Sequence, residues 1–282
     1  SVGGEFGSAI AFIVEWAPPG KRGLYGSLQQ ISVVAGLLLG SAFAALLTTI
    51  MTPEALEAWG WRIPFLLGGV IGLVGLYMRR NVGETPAYRR AVEAPSQPAE
   101  KVTPPMLLAL RAFGFATVWT VSFYIFLFYM PTFTQKFAGI SRSAALWSNT
   151  AGLVLLMLAI PVMGALSDRI GRKPLLLACC VAFIILPYPL FHWMLSSVSL
   201  TTIVLIQLLV GLAISLFAGP APAAMAEIFA TRTRSTYMST GYAFATTIFG
   251  GFAPFIATWL ISKTGSPISP TYYVIAAAVI SL

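Results

Sequence analysis

The sequence predicts an all-α, polytopic membrane protein, and three observations predict it. Hydrophobic residues make up 57% of the 282 residues and charged residues only 9%. A soluble domain carries about 25% charged residues, so too little polar surface is present here to cover a core in water. The charges also leave long runs free of Asp, Glu, Lys and Arg, at 23–53, 112–135, 143–167, 174–226 and 235–262. A bilayer core takes about 20 apolar residues per helix; the run 174–226 is long enough for two, with a turn at Ser196–Ser199. Finally, the runs are apolar on every face rather than alternating, which argues against a β-barrel. Gly36, Gly40, Pro161 and Pro220 fall inside them, and Gly68 and Gly72 inside the shorter apolar run 63–78, as membrane helices tolerate.

In chain order, helices are expected near 1–16, 27–50, 63–78, 105–131, 147–166, 175–195, 201–221, 238–262 and 271–282. The first and last are too short to span, so the sequence reads as a piece of a longer protein. Connections then alternate between two sides. One side receives 17–26, 79–104, 167–174 and 222–237, with twelve basic residues; the other receives 51–62, 132–146, 196–200 and 263–270, with four, namely Arg62, Lys136, Arg142 and Lys263. The basic side is cytoplasmic. The longest connection, 79–104, is charged and carries Pro86, Pro95, Pro98 and Pro104. It reads as a central cytoplasmic linker between residues 1–78, the remainder of one helical bundle, and residues 105–282, a second bundle.

The two bundles carry an internal repeat. Glu15 to Arg22 aligns with Glu227 to Arg234 at an offset of 212 residues; Tyr25 and Ser27 then match Tyr237 and Ser239, and Gly7 matches Gly219. Both copies lie where a cytoplasmic helix end is followed by a new helix. Parallel repeats of this kind mark transporter folds.

The sharpest motif is Gly164-Ala-Leu-Ser-Asp168-Arg169-Ile-Gly171-Arg172-Lys173-Pro174, which fills the short cytoplasmic connection between two apolar runs. Gly164 permits close helix contact, Asp168 can cap or pair with a cation near a helix end, and Gly171 permits a tight turn. Arg169, Arg172 and Lys173 hold the cytoplasmic side. The competing reading is a generic basic loop.

This motif resembles the loop signature of the major facilitator superfamily. Gly3-Gly4-Glu5, followed by Glu15, Pro18, Pro19, Arg22 and Gly23, resembles the superfamily's fourth helix and the loop after it. Gly60-Trp61-Arg62-Ile63-Pro64-Phe65, then Glu84-Thr85-Pro86, is similar to the metabolite–proton symporter branch, which includes carriers for citrate, 2-oxoglutarate, shikimate and proline or betaine. The resemblance implies the major facilitator fold of two six-helix bundles, here from about the fourth helix to part of the twelfth. The first three helices and their copy of the loop signature are missing from this sequence. It also implies ion pairs at Glu15 with Arg22 and Glu227 with Arg234, latching the bundles when the carrier faces outward. The other reading of these four is solvated loop charges.

Charges within the apolar runs are few. Glu5 lies ten residues before the interfacial Glu15, so about 15 Å deeper at 1.5 Å per residue, roughly the midplane of a core about 30 Å thick. A carboxyl there is protonated, paired or facing water. It reads as a proton or substrate site, or else as a carboxyl hydrogen-bonded to helices outside this sequence. Arg111 lies about two turns into its helix, as a substrate-anion contact or as an anchor snorkelling to the surface. Among the aromatics that precede Met130-Pro131, Tyr124 is the candidate cavity residue, the rest being packing or lipid contacts.

A membrane enzyme would need clustered His, Asp or Ser, and the sequence has one histidine, His192. A channel would need a filter or charge ring, and none is visible. Adjacent Cys179 and Cys180 sit in an apolar run and read as small buried hydrophobes. No metal, cofactor or nucleic acid is expected, and no oligomer is required. The expected function is secondary transport in a bacterial-type inner membrane, as proton-coupled uptake of a small organic acid or zwitterion. Efflux by the same fold is the alternative.

Overall fold

The computed structural model describes residues 2–81, 105–228 and 234–282, with the side chains of residues 2–6, 8, 67, 70, 71, 78–81, 105–109, 112, 234–238 and 241 also outside the described set. The expected linker therefore lies largely outside the described residues. Among them, every regular element is helical. In order they are α1 (Val2–Glu15), α2 (Arg22–Ile50), the short α3 (Pro53–Ala58) and α4 (Ile63–Asn81). Next comes α5 (Pro105–Phe123), which passes through a π-helical stretch, Tyr124–Tyr129, into α6 (Met130–Phe137). Then follow α7 (Arg142–Ile170), α8 (Arg172–Ile185), α9 (Pro187–Ser196), α10 (Leu200–Ala218) and α11 (Ala221–Ile228). A second π stretch, Thr246–Gly251, joins α12 (Arg234–Ala245) to α13 (Ala253–Thr264), and α14 (Pro270–Ser281) ends the chain.

Each of the nine expected segments contains a helix, but the ends differ. α2 begins at Arg22 rather than 27, the α5–α6 unit runs to Phe137 rather than 131, and α7 spans Arg142–Ile170 rather than 147–166. Long basic side chains reach the interface from inside the helix, so a charge does not end it. The connection 51–62 also contains α3, started by Thr52 accepting from the Ala55 N–H at 3.3 Å, with Pro53 at its first position. That is an N-cap followed by a proline preset for helix.

The breaks have local causes. Proline removes a ladder donor and clashes with the preceding turn. Pro187 bends the α8–α9 pair by 43°. Both π stretches sit just before a proline, Pro131 and Pro254, where the disturbed ladder widens. Among the described residues, five helices, Arg22–Ile50, Phe113–Phe137, Arg142–Ile170, Leu200–Ile228 and Tyr242–Thr264, are long and apolar enough to cross a membrane, and the bent α8–α9 pair makes a sixth.

The part of the chain after residue 105 is packed around aromatic side chains, with Phe126, Phe133, Phe183 and Phe191 fully buried. Phe126 meets Phe183 and Phe191, and Phe133 meets Phe191 at 5.0 Å between centroids. Cys179 and Cys180 are free thiols buried in this core. Outward faces are apolar as well: Phe65 is 73% exposed and Leu66 74%, a surface that water solvates poorly. Antiparallel α2 and α7 form one long seam, touching from Gly23 beside Gly164 at one end to Thr49 beside Ser143 at the other.

Candidate functional site

α2 starts without a cap of its own. The residue before it is Lys21, which offers no side-chain acceptor, and no cap hydrogen bond forms. The first turn of any helix presents orphan N–H donors and a partial positive charge. Here the acceptor comes from α7, more than a hundred residues away in sequence. Asp168, near the end of α7, accepts from the Gly23 N–H at 2.8 Å and the Leu24 N–H at 2.9 Å, one through each carboxylate oxygen.

Arg172, at the start of α8, completes the arrangement. Its guanidinium lies 2.7 Å from Asp168 Oδ1 and 3.3 Å from Glu227 Oε1 at the end of α11. It also donates to Ser167 Oγ at 3.0 Å, while Ser167 donates to the Gly164 carbonyl at 2.7 Å. The turn that allows this is Gly171, whose φ of +90° is the left-handed region that glycine enters at little cost. Asp168 is only 8% exposed and Arg172 18%, whereas Glu227 is 38% exposed. The Asp168 end of the network is thus the stronger, since charged hydrogen bonds gain strength as water leaves.

The helices can come this close because glycines meet at the crossing. A Cβ on Gly164 would fall 2.7 Å from the Gly23 carbonyl oxygen, and one on Gly219 would fall 2.6 Å from the Gly164 backbone nitrogen. A Cβ on Gly23 would strike Ser167 Oγ and the Gly164 carbonyl. α2, α7 and the end of α10 therefore touch backbone to backbone.

Of the sequence-expected residues, the structure gathers Gly164, Asp168, Gly171, Arg172 and Glu227 in one cluster. Arg169 and Lys173 are exposed beside it. Of the four residues of the expected latch, Glu227 pairs with Arg172. The side chain of Arg234 lies outside the described set. Arg22 is exposed at the start of α2 and forms no ion pair among the described residues; Glu15 is half-buried at the end of α1 and engaged. Ser167 and Gly23 belong to the cluster and were not singled out as such by the motif reading. The signal that pointed to them was the weak start of α2, Pro18-Pro19-Gly20-Lys21, which leaves its donors to be satisfied from elsewhere.

The membrane-depth candidates are more dispersed. Glu5 lies in α1, but its side chain is outside the described set. Arg111 is exposed on α5. Tyr124 opens the first π stretch, with its ring stacked on Phe128 at 5.1 Å and pressed against Gly250 of the second. The repeat position of Glu5 is Phe217, buried and stacked on Trp119 at 5.8 Å. The second copy of that position is therefore plain core. The repeat itself is visible in the backbone: the helices after the two junctions begin at Arg22 and Arg234.

An all-helical chain with several helices long and apolar enough to cross a membrane, and a charged clasp tying α2 to α7, defines a polytopic helical membrane protein. The sequence profile of the Major Facilitator Superfamily matches residues 1–159 and 138–282, and the chain belongs to that superfamily. It is a multi-pass protein of a bacterial-type inner membrane. It is similar to the glycine betaine/proline/ectoine/pipecolic acid transporter OusA of Dickeya dadantii, 32% identical over 295 residues, covering 100% of this chain and 58% of that protein. The proline/betaine transporter of Escherichia coli is 30% identical over 295 residues, with 100% and 59% covered. The chain thus spans about three fifths of the length of these curated relatives. Among solved structures, the D-xylose–proton symporter superposes with a TM-score of 0.70 over 97% of this chain and 66% of that one. At 20% identity, that likeness speaks to the fold alone.

Proposed function

We propose that this chain is part of a proton-coupled secondary transporter that takes up a small zwitterion, such as proline or a betaine, by alternating access. The observation that carries this reading is the Asp168 clasp. It closes one end of the bundle seam with polar contacts that lie across the two bundles, Asp168 to Gly23 and Leu24, while Arg172, held by Glu227 within its own bundle, braces the carboxylate. Contacts of that kind separate without unfolding either bundle, as a rocking carrier requires. The names of the relatives support a zwitterionic solute.

In this reading Glu5, Arg111 and Tyr124 are the candidates for handling proton and substrate. Glu5 is the acidic residue that the helical rise sets near the midplane, and intramembrane carboxyls mark proton and substrate paths. The test uses the full-length carrier in proteoliposomes with labelled proline and glycine betaine. Wild type accumulates solute under an inward proton gradient and loses that accumulation with a protonophore. Glu5→Gln is expected to abolish uphill accumulation and retain solute exchange. If Glu5→Gln accumulates solute as wild type does, the coupling proton binds elsewhere.

A further inference from the structure

At the end of the seam opposite the clasp lies a cavity of about 210 Å³, lined by Thr48, Met51, Pro53, Leu56, Glu57 and Arg142. That is below the ~300–1,000 Å³ of drug-sized sites, so it suits a solute of few heavy atoms. Its walls come from both bundles: the end of α2 and the short α3 on one side, the first residue of α7 on the other. The geometry points to a peripheral capture site for zwitterions here, with Arg142 taking the solute carboxylate and Glu57 its cationic end. This rests on the reading of the chain as a zwitterion carrier.

The two charges are both exposed, and neither forms an ion pair among the described residues. A simple gate would behave differently. The seam is already closed beside the cavity, where Thr49 and Ser143 hydroxyls lie 2.9 Å apart. These residues adjoin Thr48 and Arg142. A pair designed to join on closure would be joined in this state; instead the cavity holds Glu57 and Arg142 apart.

The remaining walls match the rest of such a solute. Met51, Pro53 and Leu56 give an apolar floor for methyl groups or a small ring. Gly60 seats the Met51 side chain, whose sulfur would lie 2.8 Å from a Cβ at that position. The Thr48 hydroxyl donates back to the Ala44 and Ala45 carbonyls at 2.8 and 2.9 Å, so it offers no donor to compete for the solute. Arg142 stands in the first turn of α7, where the helix end also favours a carboxylate. A sugar gains little from two opposed charges. A monocarboxylate meets Arg142 but is repelled by Glu57. A compact zwitterion satisfies both.

The test uses the full-length carrier and glycine betaine as the probe. In Leu56→Cys carrier, glycine betaine is expected to protect the thiol from an impermeant maleimide added from outside. Adding Arg142→Gln or Glu57→Gln should raise the half-protecting concentration about threefold, the scale of one exposed charge pair. In uptake, each substitution should raise KM by a similar factor and leave maximal rate within about twofold. Unaltered protection in both variants overturns the site, as does a fall in maximal rate with unchanged KM, which would make the pair a gate. Protection without any uptake by wild type supports the site and defeats the transport reading. Uptake without protection does the reverse.

Discussion

At the Asp168 end, which the basic-residue bias predicts to be cytoplasmic, the seam between α2 and α7 is fastened by one carboxylate that holds two backbone N–H groups and a guanidinium, with glycine backbones in contact behind it. At its outer end, the same two helices meet through hydroxyls. Ser41 lies 2.9 Å from Thr150, Thr49 lies 2.9 Å from Ser143, and the Trp147 indole and Asn149 amide donate to Thr49 and Ser41 at 3.3 Å. The energetic scales differ. A hydrogen bond to a charged group contributes about 1.5–3 kcal/mol, whereas a polar contact between membrane helices averages about 0.6 kcal/mol. The charged contacts also share one residue, so the cytoplasmic end opens as a unit, while the hydroxyl contacts can separate singly. A carrier working by the proposed alternating access, which opens one end while the other stays shut, would use that asymmetry, with the Asp168 end as the switch.

The largest effect is expected where no adjustment is possible. Gly164→Ala puts a Cβ 2.7 Å from the Gly23 carbonyl and 2.8 Å from Ser27 Cβ. Backbone has to move, at about 1–3 kcal/mol for overpacking, which shifts an open–closed equilibrium roughly five- to hundredfold. A cysteine at Gln30, buried on α2 one turn beyond Ser27, should then label from the cytoplasmic side in inside-out vesicles. An unchanged labelling rate would mean that the crossing is not what closes this end.

Asp168→Asn comes next. The amide keeps the shape but loses charge, and one of its two atoms donates where an acceptor is needed. Gly23 or Leu24 then loses its acceptor and Arg172 its nearer partner. The expected shift toward the open cytoplasmic end is about tenfold, from the charged hydrogen-bond scale. Transport should slow with membrane insertion intact. Normal rates in a well-expressed variant would reduce the motif to an orienting basic loop.

Glu227→Gln should do less. Its carboxylate is 38% exposed and 3.3 Å from Arg172, and exposed pairs contribute about 0.2–1 kcal/mol. Gln30→Cys labelling should rise less than about fivefold. An effect as large as that of Asp168→Asn would show that the two acids act as one network through Arg172.

The contrast between the ends also explains what the sequence made legible. Charge-free runs located the helices because the bilayer demands them. They misplaced ends such as Arg22, Arg142 and Ile170 because basic side chains occupy helix termini rather than following them. The loop motif was legible because Gly171 and Asp168 answer local needs of turn and charge. Their partners were not. Asp168 reaches backbone N–H groups 145 and 144 residues away, and a backbone donor has no residue type to read. The Glu227–Arg172 pair was not legible either, because the two residues lie 55 apart in sequence and meet only once the helices pack. The hydroxyls of the outer end were hidden for a different reason. Ser and Thr are common in membrane helices, and only contact shows which ones cross a seam.

The smallest effect sharpens the comparison most. Ser41→Ala removes the hydroxyl that faces Thr150 and accepts from Asn149. Thr49→Val removes the one that faces Ser143 and Trp147 while keeping volume. Each should favour the outward-open state about threefold, at about 0.6 kcal/mol. A cysteine at Ala145, buried at the outer end of α7, should report this as faster labelling by an impermeant reagent from outside. The combination with Asp168→Asn is the informative case. If the seam is one rocking equilibrium, opening one end closes the other, and the two substitutions offset each other in both labelling assays. If labelling at Gln30→Cys stays fully raised and labelling at Ala145→Cys rises as well, the ends fray independently. The clasp would then be a local fastening rather than one side of a two-state carrier.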